Sequence, residues 1–307
     1  MDVPARIPDG ARRLDRRGFG RLVGAVAATS LVAGCGPDRP AGFDSAPIPA
    51  APPPAGARRI AYGDHPDQYG DLTLPEDRPE PRALVVVVHG GSWRVGVGPE
   101  NMRSVVPALV AAGYATWNIG YRRVGSGGGW PGTLSDVAAA TDHVTELDAV
   151  PFDPDRTFAL GHSAGGHLAM WLAARGRLPA GAPGADPRVT PAGVVSQAGV
   201  LDLVSAAGHR GSNVPPLLGG TPEEVPDRYA VASPIAHVPS GVPSVCVHGT
   251  ADQVVPIAQS EEFLAAATAA GDRSELVRVD GATHISVIDA STPGWRESLA
   301  GLERLTG

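Results

Sequence analysis

The stretch "RTFALGHSAGGHLAMWLAAR", Arg156 to Arg175, decides the fold. Its first half is an apolar run of strand length. Its second half, rich in Ala and Leu, has the length and period of a helix. Between them stands Ser163, two residues from Gly161 on one side and from Gly165 on the other. A serine presented on a sharp strand-to-helix turn needs small neighbours at those positions, because the chain folds back on itself there. In a chain with 40 glycines the pattern G-x-S-x-G is weak by itself. Its place at a strand–helix junction gives it weight. The helix beyond would point its first amides at the serine and favour negative charge there.

Outward from this junction the chain alternates. Strand-length apolar runs occur in "RRIAYG", "QYGDLTLP", "ALVVVVHG", "YATWNIGY", "RTFALGHS", "GVVSQAG", "SVCVHG" and "ELVRVDG". Helical segments intervene at "ENMRSVVPALVAAG", "TLSDVAAATDHVTEL", "AGGHLAMWLAARG" and "SEEFLAAATAAG", and "PGWRESLAGLERL" closes the chain. "ALVVVVHG" is apolar on both alternating faces, as a central strand covered by helices on both sides must be. The pattern predicts an α/β fold with a mostly parallel central sheet of about eight strands and helices on both faces. Thr133 with Asp136 has capping-box spacing, and Thr292 before Pro293 reads as another helix start. Only between "SQAGVLDL" and "GVPSVCVHG" does the alternation lapse, over a Gly- and Pro-rich stretch. Residues 203–238 are therefore expected to form a short cap insertion over a cleft.

A serine hydroxyl needs a base, and the base needs an orienting carboxylate. In this kind of sheet reactive groups gather beyond the carboxyl ends of the strands, in the order Ser, acid, His. Asp252 is the first acid after the strand in "SVCVHGTADQVVP", and His284 follows the last strand in "ELVRVDGATH". Ser163, Asp252 and His284 are thus the expected catalytic set, with Asp202 in "GVLDL" the rival acid. His162 adjoins the serine too closely to serve as its base and is expected near the substrate pocket. His167 is expected to be buried, and His89 and His248 to make structural hydrogen bonds; His209 and His237 belong to the cap. "HGGSW", His89 to Trp93, supplies a glycine turn, so the amides of Gly91 and Ser92 are expected to join that of Ala164 as oxyanion donors. Trp93 and Trp130 are the aromatic candidates for the substrate pocket.

Composition excludes several classes. With 43% hydrophobic and 19% charged residues the chain can bury a large core, and at 307 residues one large α/β domain is as reasonable as two small ones. Its basic residues are all arginine, and a net charge of −7 argues against a nucleic-acid partner. No metal-ligand spacing occurs among the nine histidines, and no cofactor or metal is expected. Cys246, inside an apolar strand, reads as a buried small hydrophobe. Residues 1–34 read as an export leader: Arg16 and Arg17 resemble a twin-arginine signal, and Val32-Ala33-Gly34-Cys35 looks like a lipobox. Cys35 is then the expected lipidation site, and residues 35–57 a Pro- and Ala-rich tether carrying the catalytic domain, 58–307, outside the cell membrane.

Taken in order, "HGGSW", "GYRR", "GHSAGGHLA", "SPIAH", "HGTADQVVP" and "GATH" resemble the α/β-hydrolase superfamily. Within it the chain is similar to the esterase branch of hormone-sensitive-lipase-like enzymes, bacterial feruloyl and acetyl-xylan esterases, and kynurenine formamidases. The likeness runs from about residue 60 to the end. It implies a serine esterase acting on a small to medium carboxylic ester through an acyl-enzyme, with Ser163 as nucleophile, Asp252 as acid and His284 as base. Ser92 departs from the third glycine of lipase-like relatives, and Trp93 after it is nearer the formamidase and feruloyl-esterase style. An arylformamidase acting on N-formylkynurenine is the alternative activity, and a non-catalytic binding protein the alternative class.

Overall fold

The computed structural model describes residues 52–78, 80–148, 153 and 156–307. The leader, Cys35 and the tether up to residue 51 lie outside the described residues. Eight strands form one sheet: β1 (Arg58–Ala61), β2 (Tyr69–Thr73), β3 (Leu84–Val88), β4 (Ala115–Ile119), β5 (Thr157–His162), β6 (Val194–Gln197), β7 (Ser244–Gly249) and β8 (Ser274–Val279). Their spatial order is β1-β2-β4-β3-β5-β6-β7-β8. β2 runs antiparallel to both β1 and β4, and every other pair is parallel. All eight expected strands are present.

The period-two alternation of β3 explains why the sheet is covered on both sides. Val86 and Val88 enter one core with Trp117, Leu168 and Trp171. Val85 and Val87 enter the other with Leu160, Val247 and Trp295. All five residues of β3 are buried, and each full Val burial contributes about 1.5–3 kcal/mol. The helices that complete the two layers are α1 (Val105–Ala111), α2 (Gly132–Asp142), α3 (Ala164–Ala174), α7 (Ala258–Ala269) and α8 (Pro293–Thr306). Where β2 meets β4, Trp117 lies across Gly70, and a Cβ there would fall 2.4 Å from the indole. Only glycine lets the two strands pair over that ring.

Three short helices, α4 (Leu203–Ala207), α5 (Val214–Leu218) and α6 (Pro226–Ala232), and a 3₁₀ turn at Pro234–His237 occupy the stretch expected as a cap. Asp202 caps α4, its Oδ1 accepting from the amides of Val204 (2.9 Å) and Ser205 (3.2 Å). At the start of α8 the Thr292 hydroxyl accepts from the Trp295 amide, as its position before Pro293 predicts. The expected capping box at Thr133 does not form. Its hydroxyl instead donates to the Arg122 carbonyl (2.6 Å), and Asp136 binds the Arg122 guanidinium at 2.7 and 2.8 Å. A buried charge pair outcompetes a local cap, because an unpaired buried carboxylate costs far more than a free helix-end amide.

Candidate active site

Ser163 sits between β5 and α3 at φ 55°, ψ −119°, a conformation that L-residues rarely adopt. Both neighbouring glycines are sterically required. A Cβ on Gly165 would fall 2.0 Å from the Val88 carbonyl oxygen, and one on Gly161 would fall 2.2 Å from that of Gly165. The Ser163 amide is held by the Gln197 carbonyl at the end of β6 (2.8 Å). Its strain of about 1–3 kcal/mol persists because these contacts over-determine the turn.

Asp252 and His284 come together from the loops after β7 and β8. His284 Nδ1–H donates to Asp252 Oδ2 at 2.7 Å, and the Asp252 side chain is fully buried. Since Nδ1 carries the proton, Nε2 is left as the acceptor, and among the described residues it has no hydrogen-bond partner. Asp252 Oδ1 accepts from the amides of Val254 (2.8 Å) and Val255 (3.0 Å). Burial opposes its ionisation. The hydrogen bonds from His248, His284 and those two amides outweigh burial, and its pKa lies below the usual carboxylate range.

His162 links this pair to the serine turn. Its Nε2–H donates to the His284 carbonyl (2.8 Å), and its ring centroid lies 4.6 Å from that of His284. Burial first, and then the neighbouring His284, pull the His162 imidazole down to about 3, so it stays neutral. His248 is the partner that the sequence did not disclose. Its Nε2 lies 3.4 Å from Asp252 Oδ2 and donates to the Val255 carbonyl (3.0 Å), while Nδ1 accepts from Ser260 (2.8 Å). The i, i+4 spacing of His248 and Asp252 was its only signal, and on a strand exit that spacing carries no rule.

After β3, Gly91, Ser92 and Trp93 take φ of 106°, 54° and 56° in succession. Such a run turns successive amides toward one concave side. Among the described residues, the amides of Gly91, Ser92 and Ala164 donate to no backbone or side-chain acceptor. Ser92, Trp93, Ser163 and Ala164 line one side of a cavity of about 410 Å³, and Val200 and Val255 lie among its other walls. Trp93 is held there by His167, whose Nδ1 accepts from the indole N–H (3.1 Å) while Nε2–H donates to the Ala232 carbonyl (2.9 Å).

Two expected pocket residues are not among the lining ones. His162 faces the His284 carbonyl, and Trp130 packs against the core with Arg228 5.9 Å from its ring centroid. Asp202 is occupied as a helix cap, and His89 stacks on Tyr121 at 4.3 Å. His237 bonds the Val231 carbonyl, whereas His209 lines the cavity. Cys246 is buried, and burial pushes its thiol up to about 12.

The sheet order and the strand–serine–helix turn define an α/β-hydrolase. A truncated carbohydrate esterase from gut microbiota superposes with a TM-score of 0.71 at 23% identity, covering 84% of this chain and all of that one. The BD-FAE family model matches residues 71–266, and the chain belongs to that family, in the esterase branch of the fold. It is similar to esterase LipC of Mycobacterium tuberculosis, 28% identical over 67% of this chain and 54% of that protein. It also resembles butyrate-bound esterase 2 of Thermogutta terrifontis, with a TM-score of 0.65 and 26% identity over 81% of this chain and 93% of that one. The chain spans about half the length of the curated relatives it matches.

Proposed function

We propose that the protein is a serine esterase that hydrolyses small to medium carboxylic esters through an acyl-enzyme. The observation that carries this reading is the His284–Asp252 hydrogen bond of 2.7 Å, on a loop that His162, the residue before Ser163, holds through the His284 carbonyl. In this mechanism Ser163 Oγ attacks the ester carbonyl as its proton passes to His284 Nε2. The amides of Ala164, Gly91 and Ser92 receive the oxyanion. Collapse expels the alcohol, which takes the proton from His284, and a water deprotonated by the same nitrogen then releases the acid. Asp252 stays ionised and stabilises the imidazolium. The esterase names of the relatives support the same activity.

Ser163→Ala should lower kcat/KM on p-nitrophenyl butyrate by about 10³-fold or more while leaving thermal unfolding unchanged. A fluorophosphonate probe should label Ser163 alone. Unlabelled, folded wild-type protein would overturn the esterase reading in favour of a binding protein, and faster turnover of N-formylkynurenine than of any ester would favour the formamidase. Export and lipid anchoring at Cys35 are a separate proposal, supported by the sequence of residues 1–35. Cys35→Ala should move the protein from the membrane fraction to the soluble one, and an unchanged distribution would sink the anchor.

A further inference from the structure

The cavity beside Ser163 carries an electrostatic asymmetry that the reaction itself does not require. Its far wall is the loop between α4 and α5, where His209, Arg210 and Asn213 line it. Arg210 is exposed, and among the described residues its guanidinium makes no ion pair or hydrogen bond. A second guanidinium reaches the same wall from another loop. Arg94, just after the glycine turn, donates to Asn213 Oδ1 at 3.2 Å, and among the described residues it has no carboxylate partner. None of the cavity's lining residues is Asp or Glu, in a chain with 32 acidic residues. Acids close to the lining residues in sequence are engaged elsewhere, Asp202 on the amides of α4, Asp252 on His284 and Glu261 on Arg278.

An exposed arginine is ordinarily a solvated surface charge. Two from separate loops, Arg210 lining a cavity without acids and Arg94 bonded to the Asn213 of its wall, form a local positive site on an acidic protein. Low-dielectric walls focus such a field onto whatever enters. Guanidinium groups match carboxylates in shape as well as charge.

We propose that this wall recognises a carboxylate borne by the substrate, so that the preferred esters are anionic ones, with the charge a few carbons from the scissile carbonyl. The inference rests on the esterase reading for the position of Ser163 as the reacting group, and extends it to a substrate class. The carboxylate could belong to the acyl part, as in the hemiester of a dicarboxylic acid, or to the alcohol part, as in the ester of a hydroxy acid.

The test compares p-nitrophenyl butyrate with p-nitrophenyl hemisuccinate and hemiglutarate, and phenyl butyrate with 4-carboxyphenyl butyrate. Wild type should favour one anionic member over its neutral partner by about fivefold or more in kcat/KM, with the favoured pair naming the charged half. Because both arginines are solvent-screened, each is expected to contribute about two- to fivefold. Arg94→Gln with Arg210→Gln should bring the anionic-to-neutral ratio close to one, and Arg210→Glu should shift preference toward a choline ester.

Binding gives a readout free of turnover. Monoethyl glutarate titrated into Ser163→Ala should bind several-fold more tightly than into the same protein carrying both Gln substitutions. Neutral partners hydrolysed as well as anionic ones, or a ratio untouched by the double substitution, would overturn the proposal while leaving the esterase reading intact. Absence of any ester turnover with arginine-dependent binding would do the reverse.

Discussion

At the scale of single residues the site is built from positions where a side chain has nowhere to go. Ser163 keeps φ 55° because the strand behind it and the helix ahead of it meet with no room for a wider turn. Gly165 is the tightest of these positions. The atoms that a Cβ would strike, the carbonyl oxygens of Val88 at 2.0 Å and His89 at 2.5 Å, are backbone of the central strand and its exit, and cannot swing aside. Gly165→Ala should therefore cost about 3 kcal/mol or more, or yield no soluble protein. Gly176, where a Cβ would meet nothing within 4 Å, supplies the control, and Gly176→Ala should change stability by less than about 0.5 kcal/mol. Urea unfolding of both variants decides it: equal losses would show that the effect is general to glycines near α3 and not due to this contact.

Elements show where sequence reading succeeds and where it stops. The eight strands were legible as short apolar runs of strand length between turn residues, and β3 is apolar on both faces, whereas the edge strands β1 and β8 are only partly buried. Ser163, Asp252 and His284 could be put forward together because chain order along a parallel sheet fixes which loops share one edge, and the structure pairs two of them, His284 and Asp252. What stayed hidden depends on contacts between distant elements. Asp136 reads locally as a helix-start partner of Thr133, but Arg122 and Gln68 claim its carboxylate from other loops. Gln259 gave no signal in α7, yet its Oε1 accepts from the amides of Leu201 and Asp202, both at 2.9 Å. It thereby ties α7 to the exit of β6, just ahead of the loop that carries Arg210. Buried amides left without an acceptor cost about 1–3 kcal/mol each, which is why one polar side chain is retained there. His162 is a related case. Its adjacency to Ser163 suggested the pocket, whereas the structure turns it to the His284 carbonyl, a contact across 122 residues that no local pattern encodes.

For the whole molecule, buried imidazoles near the site set a pH limit on folding. Burial pulls His89 and His162 down to about 3 and His167 to about 4. In the unfolded chain each takes a proton near pH 6.5. Between those values the unfolded state binds more protons than the folded one, so stability is fully present above about pH 6.5 and is lost as pH falls toward the folded pKa values. Each group removes about 1.4 kcal/mol per pH unit inside its window, and three together remove about 4 kcal/mol. An ordinary stability of about 5–15 kcal/mol would be consumed within roughly one to four units. Asp252, held below the usual carboxylate range, adds a loss of the same sign once the pH falls below about 4. At the other end Cys246, raised to about 12, keeps its proton when the unfolded thiol has released its own, so stability also declines above about pH 9. The expected profile is a plateau near pH 7–8 with a steep acid limb that begins near pH 6. Urea unfolding free energies at half-unit steps from pH 8 to pH 4.5 measure it. His89→Phe, which keeps a flat ring against Tyr121 while removing one titratable group, should lower the acid slope by about one proton, or about 1.4 kcal/mol per unit. A stability that stays level from pH 7 to pH 4.5, or a slope unaltered by that substitution, would mean that the protein opens locally to protonate these histidines without unfolding.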